Sequence, residues 1–158
     1  MTLLNVIQAL EGIARRQPAV AMVVANDVFR LSAIPDARYG VFAWTQGQHR
    51  ERLAQGLLNV SLTLFYVDRL TADRHNELEI QSVGVQVLGN ILRGAEAAGI
   101  YVADTVRYTT FNQRFEDECA GVFCAVDLEV PVDWLCPEEF GGLGDFNDDF
   151  SDDFYTHD

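Results

Sequence analysis

The chain has 158 residues, 49% of them hydrophobic, enough to bury one substantial core. Its formal net charge is −13, and all eleven basic residues are arginine. Residues 138–158 hold eight of the acids and no Lys or Arg, leaving −5 for the rest, so the folded part lacks the positive excess that phosphate binding needs.

Residues 2–17 are predicted to form an amphipathic helix. Leu3, Ile7, Leu10 and Ala14 share a face that Leu4, Val6 and Ile13 widen. Thr2 caps its start, and Gln17-Pro18 stops it. Residues 20–34 read as a strand, rich in β-branched and aromatic residues, and Pro35-Asp36 as a turn. Residues 39–49 read as a second strand and hairpin partner of the first. Gly47 to Gly56 reads as a polar connection. Residues 58–68 alternate: Val60, Leu62, Leu64 and Tyr66 point one way, Asn59, Ser61 and Thr63 the other, with Phe65 and Val67 covered on that side too.

A second helix is expected from about Glu77 to Ala98. Its apolar series is Ile80, Val83, Gly84, Val87, Leu88 and Ile91, with Gly99 as C-cap. Gly84 and Gly89 cost helix propensity and point to close approach of another backbone, the sheet's. Residues 100–115 read as the fourth strand and 119–132 as the fifth. In the last, Ala120, Val122, Cys124, Val126, Leu128 and Val130 form the core face. Cys119, Gly121, Phe123, Ala125, Asp127 and Glu129 form the other. The expected fold is α+β: an antiparallel sheet of about five strands packed with two helices, in the order α-β-β-β-α-β-β. It comprises a globular domain at 1–137 and an acidic tail at 138–158.

Little in the chain promises chemistry. Three cysteines with no leader signature make no disulfide framework. Cys119 and Cys124, five apart on a strand, face opposite sides. His49, His75 and His157 are scattered, without metal-ligand spacing. Asp145, Asn147 and Asp149 start like a calcium loop, but Phe150 and Thr156 stand where glycine and glutamate are needed. No phosphate loop, dinucleotide fingerprint or nucleophile elbow is present. Glu116, Asp117 and Glu118 read as a solvated turn. Asp73, Arg74, His75 and Glu77 read as charges near a helix N-terminus. No apolar run reaches membrane-spanning length. The expectation is a protein without catalytic activity, metal or cofactor.

Two phrases, VRYTTFNQRFEDECAGVFCAVDLEVPV and VFRLSAIPDARYGVFAWTQGQHR, together with the element order, carry a resemblance. Over residues 1–137 the chain resembles tail-terminator and neck (head–tail connector) ring proteins of tailed bacteriophages. The phrases are similar to small structural proteins of Bacteroides and crAss-like phages. The acidic phenylalanine tail departs from that pattern. The resemblance implies a virion structural protein forming a closed homo-oligomeric ring, of six or twelve copies, at the tail terminus or neck. It implies contacts with neighbouring virion proteins, passage of DNA without specific binding, and residence in the host cytoplasm during assembly. A mildly negative body suits such a conduit. The alternative is a cytosolic adaptor or assembly chaperone that docks a partner through its acidic tail.

Two sets of residues are expected to make contacts. Arg30, Arg38, Arg50, Arg52 and Arg107 are candidates for the subunit interface, since guanidinium forks suit carboxylates. Phe146, Phe150 and Phe154, spaced by four, are candidate anchors by which a free tail orders on docking.

Overall fold

The computed structural model describes residues 1–25, 39–73, 75–112 and 118–132. The predicted tail and its three phenylalanines, Arg30, Arg38, Arg74 and the acidic pair Glu116-Asp117 lie outside the described residues. The elements are α1 (Leu3–Arg15), β1 (Met22–Ala25), β2 (Val41–Gln46), β3 (Arg50–Arg52), β4 (Leu57–Arg69), α2 (Glu77–Ala97), β5 (Tyr101–Val102), β6 (Thr109–Asn112) and β7 (Cys119–Pro131). The class is α+β, as expected, but the sheet is mixed and has seven described strands.

The two 13-residue strands β4 and β7 are its spine, paired antiparallel without interruption from Leu57–Pro131 to Arg69–Cys119. Shorter strands flank this pair, and they share lanes. β2 pairs the distant half of β4, and β3 pairs its start. Between Gln46–Leu62 and Arg50–Asn59, residues 47–49 stand opposite only Val60 and Ser61, so one residue bulges out. Across the spine, β5 and β6 both pair β7, and residues 103–108 stand opposite only 124–127. Of the predicted fourth strand, 100–115, residues 100–112 are thus one lane broken in the middle, and 113–115 lie outside the described residues. β3 was not foreseen, because its charged residues read as a connection.

The expected hairpin between the first two strands does not form. β1 runs parallel to β2, with Met22 opposite Val41 and Ala25 opposite Trp44. Parallel neighbours need a long crossover where a tight turn serves antiparallel ones. Composition gave residues 20–34 strand propensity, but it carries no information about direction. The part of that prediction beyond Ala25 falls outside the described residues.

Both helices cover one face of the sheet, the proximal face. There Phe42, Trp44, Val60, Leu62, Leu64, Tyr66 and the six predicted residues of β7 are buried against Val6, Leu10 and Ala14 of α1 and Ile80, Val87, Leu88 and Ile91 of α2. Each large side chain so buried contributes roughly 1.5–3 kcal/mol. The buried stripe of α1 centres on Val6, Leu10 and Ala14; Leu4, placed on it by spacing, is 61% exposed. Thr2 closes a capping box with Asn5: the Asn5 N–H donates to Thr2 Oγ1 (3.2 Å) and the Thr2 N–H to Asn5 Oδ1 (2.9 Å). Trp44 Nε1 donates to Glu11 Oε1 (3.0 Å), tying α1 to β2.

α2 ends as predicted. Gly99 has φ +89°, its N–H donates to the Glu96 carbonyl, and the Ile100 N–H reaches back to Ala95, the double bond pattern of a Schellman cap. Gly84 lets α2 sit low on the spine. A Cβ there would lie 2.9 Å from Val122 Cγ2 and 3.1 Å from Tyr66 Cδ1. The approach is to side chains of the sheet, where backbone was expected.

Candidate functional site: the distal face of the sheet

The face turned away from α1 and α2 is graded along its length. Its rows follow from strand register, since residues opposite one another in a ladder point to the same side. At one end lie Met22, Val41, Val67, Gly121 and Phe111, then Val24, Ala43, Phe65, Phe123 and Thr109. Val24, Val41, Ala43, Phe65, Val67 and Cys119 are buried there as a second, smaller cluster. Phe123 stacks obliquely between Phe65 (5.7 Å between centroids) and Phe111 (6.1 Å). Arg69 lies over the Tyr39 ring, 4.6 Å from its centroid. The next row, Thr45, Thr63 and Ala125, is apolar only in part. Then come Ser61 and Asp127, and last the row Arg50, Asn59, Glu129 and Tyr101.

The far end of this gradient is open and polar. Arg50, Glu51, Arg52, Asn59 and Asp127 line a shallow groove of about 360 Å³. Arg50 and Arg52 are exposed and point to this face from β3. Arg107, also exposed, lines a second recess with Thr105, Thr109, Phe123 and Ala125. Three of the five predicted interface arginines therefore share one face, which sequence spacing alone did not indicate. No ion pair or side-chain hydrogen bond joins Arg50, Arg52 or Arg107 to another of the described residues.

His49 shapes the bulge beside β3. The Ser61 N–H, left without a strand partner, donates to His49 Nδ1 (3.2 Å). That fixes the proton on Nε2, which donates to Gln46 Oε1 (2.9 Å). Gly47 N–H donates to the Ser61 carbonyl (2.8 Å). The imidazole thus replaces a missing ladder partner and lets β3 begin. Nothing in the sequence distinguishes this histidine from a surface one except the glycine two residues before it.

The other candidate groups are dispersed. Asp73 accepts from Thr71 Oγ1 (2.8 Å) and contacts His75 Nδ1; the Thr71 hydroxyl, then His75, hold its carboxyl below the usual range. Both Asp73 and His75 are well exposed. Asn76 ties this loop together, accepting from the Thr71 N–H (2.9 Å) and donating to the Arg69 carbonyl (3.3 Å). Tyr66 donates to the Ala19 carbonyl (3.4 Å) at the sheet end of α2, and burial, then the Asp68 carboxylate, push its phenol up to about 12. Burial pushes the Cys124 thiol up to about 12 as well. Cys119 and Cys124 are buried on opposite faces of β7, as their spacing required.

Among the described residues, no three His, Cys, Asp or Glu side chains are grouped so as to hold a metal ion. No described helix is long and apolar enough to cross a membrane. No protein-family model matches the chain, and no curated protein matches it.

Proposed function

We propose that this chain is a structural subunit of a tailed-phage virion, assembling as a homo-oligomeric ring at the tail terminus or head–tail neck and lining the DNA conduit. The observation that carries the reading is the set of arginines on the distal face, Arg50, Arg52 and Arg107, none of which makes an ion pair with another of the described residues. A guanidinium without a partner among the described residues is available to a carboxylate of a neighbour. Among the described residues the sheet also ends in edges, β1 and β3 on one side and the broken β5–β6 lane on the other. Thr109, Thr110 and Asn112 of β6 are exposed. Ring closure covers such edges by placing each against the next subunit. The resemblance of residues 1–137 to terminator and neck proteins supplies the virion context.

Native mass spectrometry of the purified protein, with particle classes from electron microscopy, tests the reading. A closed ring of six or twelve copies, and the same protein counted at that copy number in purified virions, supports it. A chain that stays monomeric at high concentration and is missing from particles overturns it. That outcome would favour an adaptor or assembly chaperone.

A further inference from the structure

The chain leaves the sheet beside Arg50 and Arg52. Pro131 ends β7 opposite Leu57, and Leu57 lies opposite Arg52. The Val132 N–H then donates to the Gly56 carbonyl (2.7 Å), holding the exit against the turn that follows β3. Arg50 and Arg52 occupy the outer lane of the sheet here. The carboxylates of the same face, Asp127 and Glu129, stand on β7, two strands away. No ion pair joins these arginines to another of the described residues. Two large apolar side chains stand in solvent at this end: Leu53, 74% exposed, directly after Arg52, and Tyr101, 59% exposed, in the row of Arg50 but three strands away on β5. This end of the molecule thus carries two arginines and two exposed apolar side chains, with Asn59 and Glu129 between Arg50 and Tyr101.

Residues 138–158 have the complementary pattern. Asp145, Phe146, Asp148, Asp149, Phe150, Asp152, Asp153 and Phe154 interleave acids with phenylalanines, and no base interrupts them. We propose that this acidic segment docks in cis on the charged end of the distal face. Its aspartates pair Arg50 and Arg52, and Phe146 and Phe150 rest on Leu53 and Tyr101. The link from Val132 to Phe146 spans up to about 45 Å when extended, more than the width of the sheet. Attachment this close raises the segment's concentration at its own groove far above that of any other copy. Docking in cis occupies Arg50 and Arg52, which leaves Arg107 and the sheet edges to a neighbouring subunit in a ring; the isotope pattern of the cross-links tells a chain's own tail from a neighbour's.

The test replaces Phe150 of the full chain with the photo-crosslinking residue benzoyl-phenylalanine and maps the products by mass spectrometry in an equal mixture of heavy and light protein. Cross-links should land on residues 50–57 and 101 and join like isotopes only. They should vanish in 1 M NaCl, where the screening length is about 3 Å. They should also vanish in the double variant Arg50→Glu/Arg52→Glu. The tail variant Asp148→Asn/Asp149→Asn/Asp152→Asn/Asp153→Asn changes no residue of the sheet and should lose them equally. Cross-links elsewhere, cross-links that survive both sets of variants, or products joining heavy to light chains overturn the proposal.

Discussion

The two faces of the β4–β7 spine are made by the same strands in the same register, yet they differ in kind. The proximal face is apolar from Val130 to Ala120 and from Val60 to Tyr66, and it is buried along its whole length. The distal face changes character halfway: Phe65, Val67 and Cys119 are buried, whereas Ser61, Asp127 and Glu129 meet solvent or line its margin. One face carries the folding energy for the whole spine. The other contributes to folding over half its length and leaves the remaining half free to meet something else. In an alternating strand these are separate choices, because each residue belongs to one face only.

The largest expected effect tests that division of energy. Phe42→Ala, on the proximal face, and Phe65→Ala, on the buried half of the distal face, should each lose about 3–5 kcal/mol in urea unfolding. Thr63→Ala, at the boundary, should stay within about 0.5 kcal/mol. Equal losses at all three positions would erase the contrast.

Overpacking sharpens the same comparison. Gly84→Val forces a side chain into Val122 and Tyr66 and should cost about 1–3 kcal/mol. A well-behaved Gly84→Val protein of wild-type stability would mean that α2 does not rest so closely on the spine.

Alkaline pH probes the proximal core without a mutation. Tyr66 titrates at about 12 in the fold against an ordinary 10.0, and Cys124 at about 12 against 9.0. Both pKa values are raised, so the folded state binds these protons more tightly than the unfolded chain. The stability they contribute is intact below pH 9 and is lost as pH rises to 12. The loss from Tyr66 is on the order of 2 kcal/mol. Urea midpoints at pH 8, 10 and 11.5 should fall in that order, and Tyr66→Phe should flatten the fall above pH 10. A rising midpoint would contradict the burial assigned to both groups.

Most of the α+β plan was legible. The spine, both helices, the Thr2 cap and the Gly99 cap follow from local rules that act within a few residues, namely alternation, helical spacing and terminal chemistry. The broken lanes were not legible. A bulge depends on what stands opposite, and residues 47–49 or 103–108 do not encode their partners. The role of His49 was hidden for the same reason. His49→Ala strands the Ser61 N–H, and a loss of about 1 kcal/mol is expected; hydrogen exchange at Ser61 should speed up by about tenfold or less. Unchanged exchange would mean that the ring is not its partner.

The smallest effect on stability is expected at the open end. Arg50→Ala and Arg52→Ala should each shift unfolding by less than about 0.5 kcal/mol, since neither guanidinium has a partner among the described residues. Their double variant should nonetheless change the oligomer distribution in native mass spectrometry. A large loss of stability with unaltered assembly would place these arginines in the fold and take them out of the interface.

Sequence by itself determined the two helices and the two long strands, which face of β4 and β7 is apolar, and that Cys119 and Cys124 cannot meet. Those properties rest on periodicity, which each segment carries internally. Only the tertiary structure decided that β1 runs parallel to β2, that β3 exists, and that Arg50, Arg52 and Arg107 share a face with the exit of β7. Direction, register and the company a side chain keeps are properties of pairs of segments, fixed when the long β4–β7 ladder forms and the shorter strands add to its two sides.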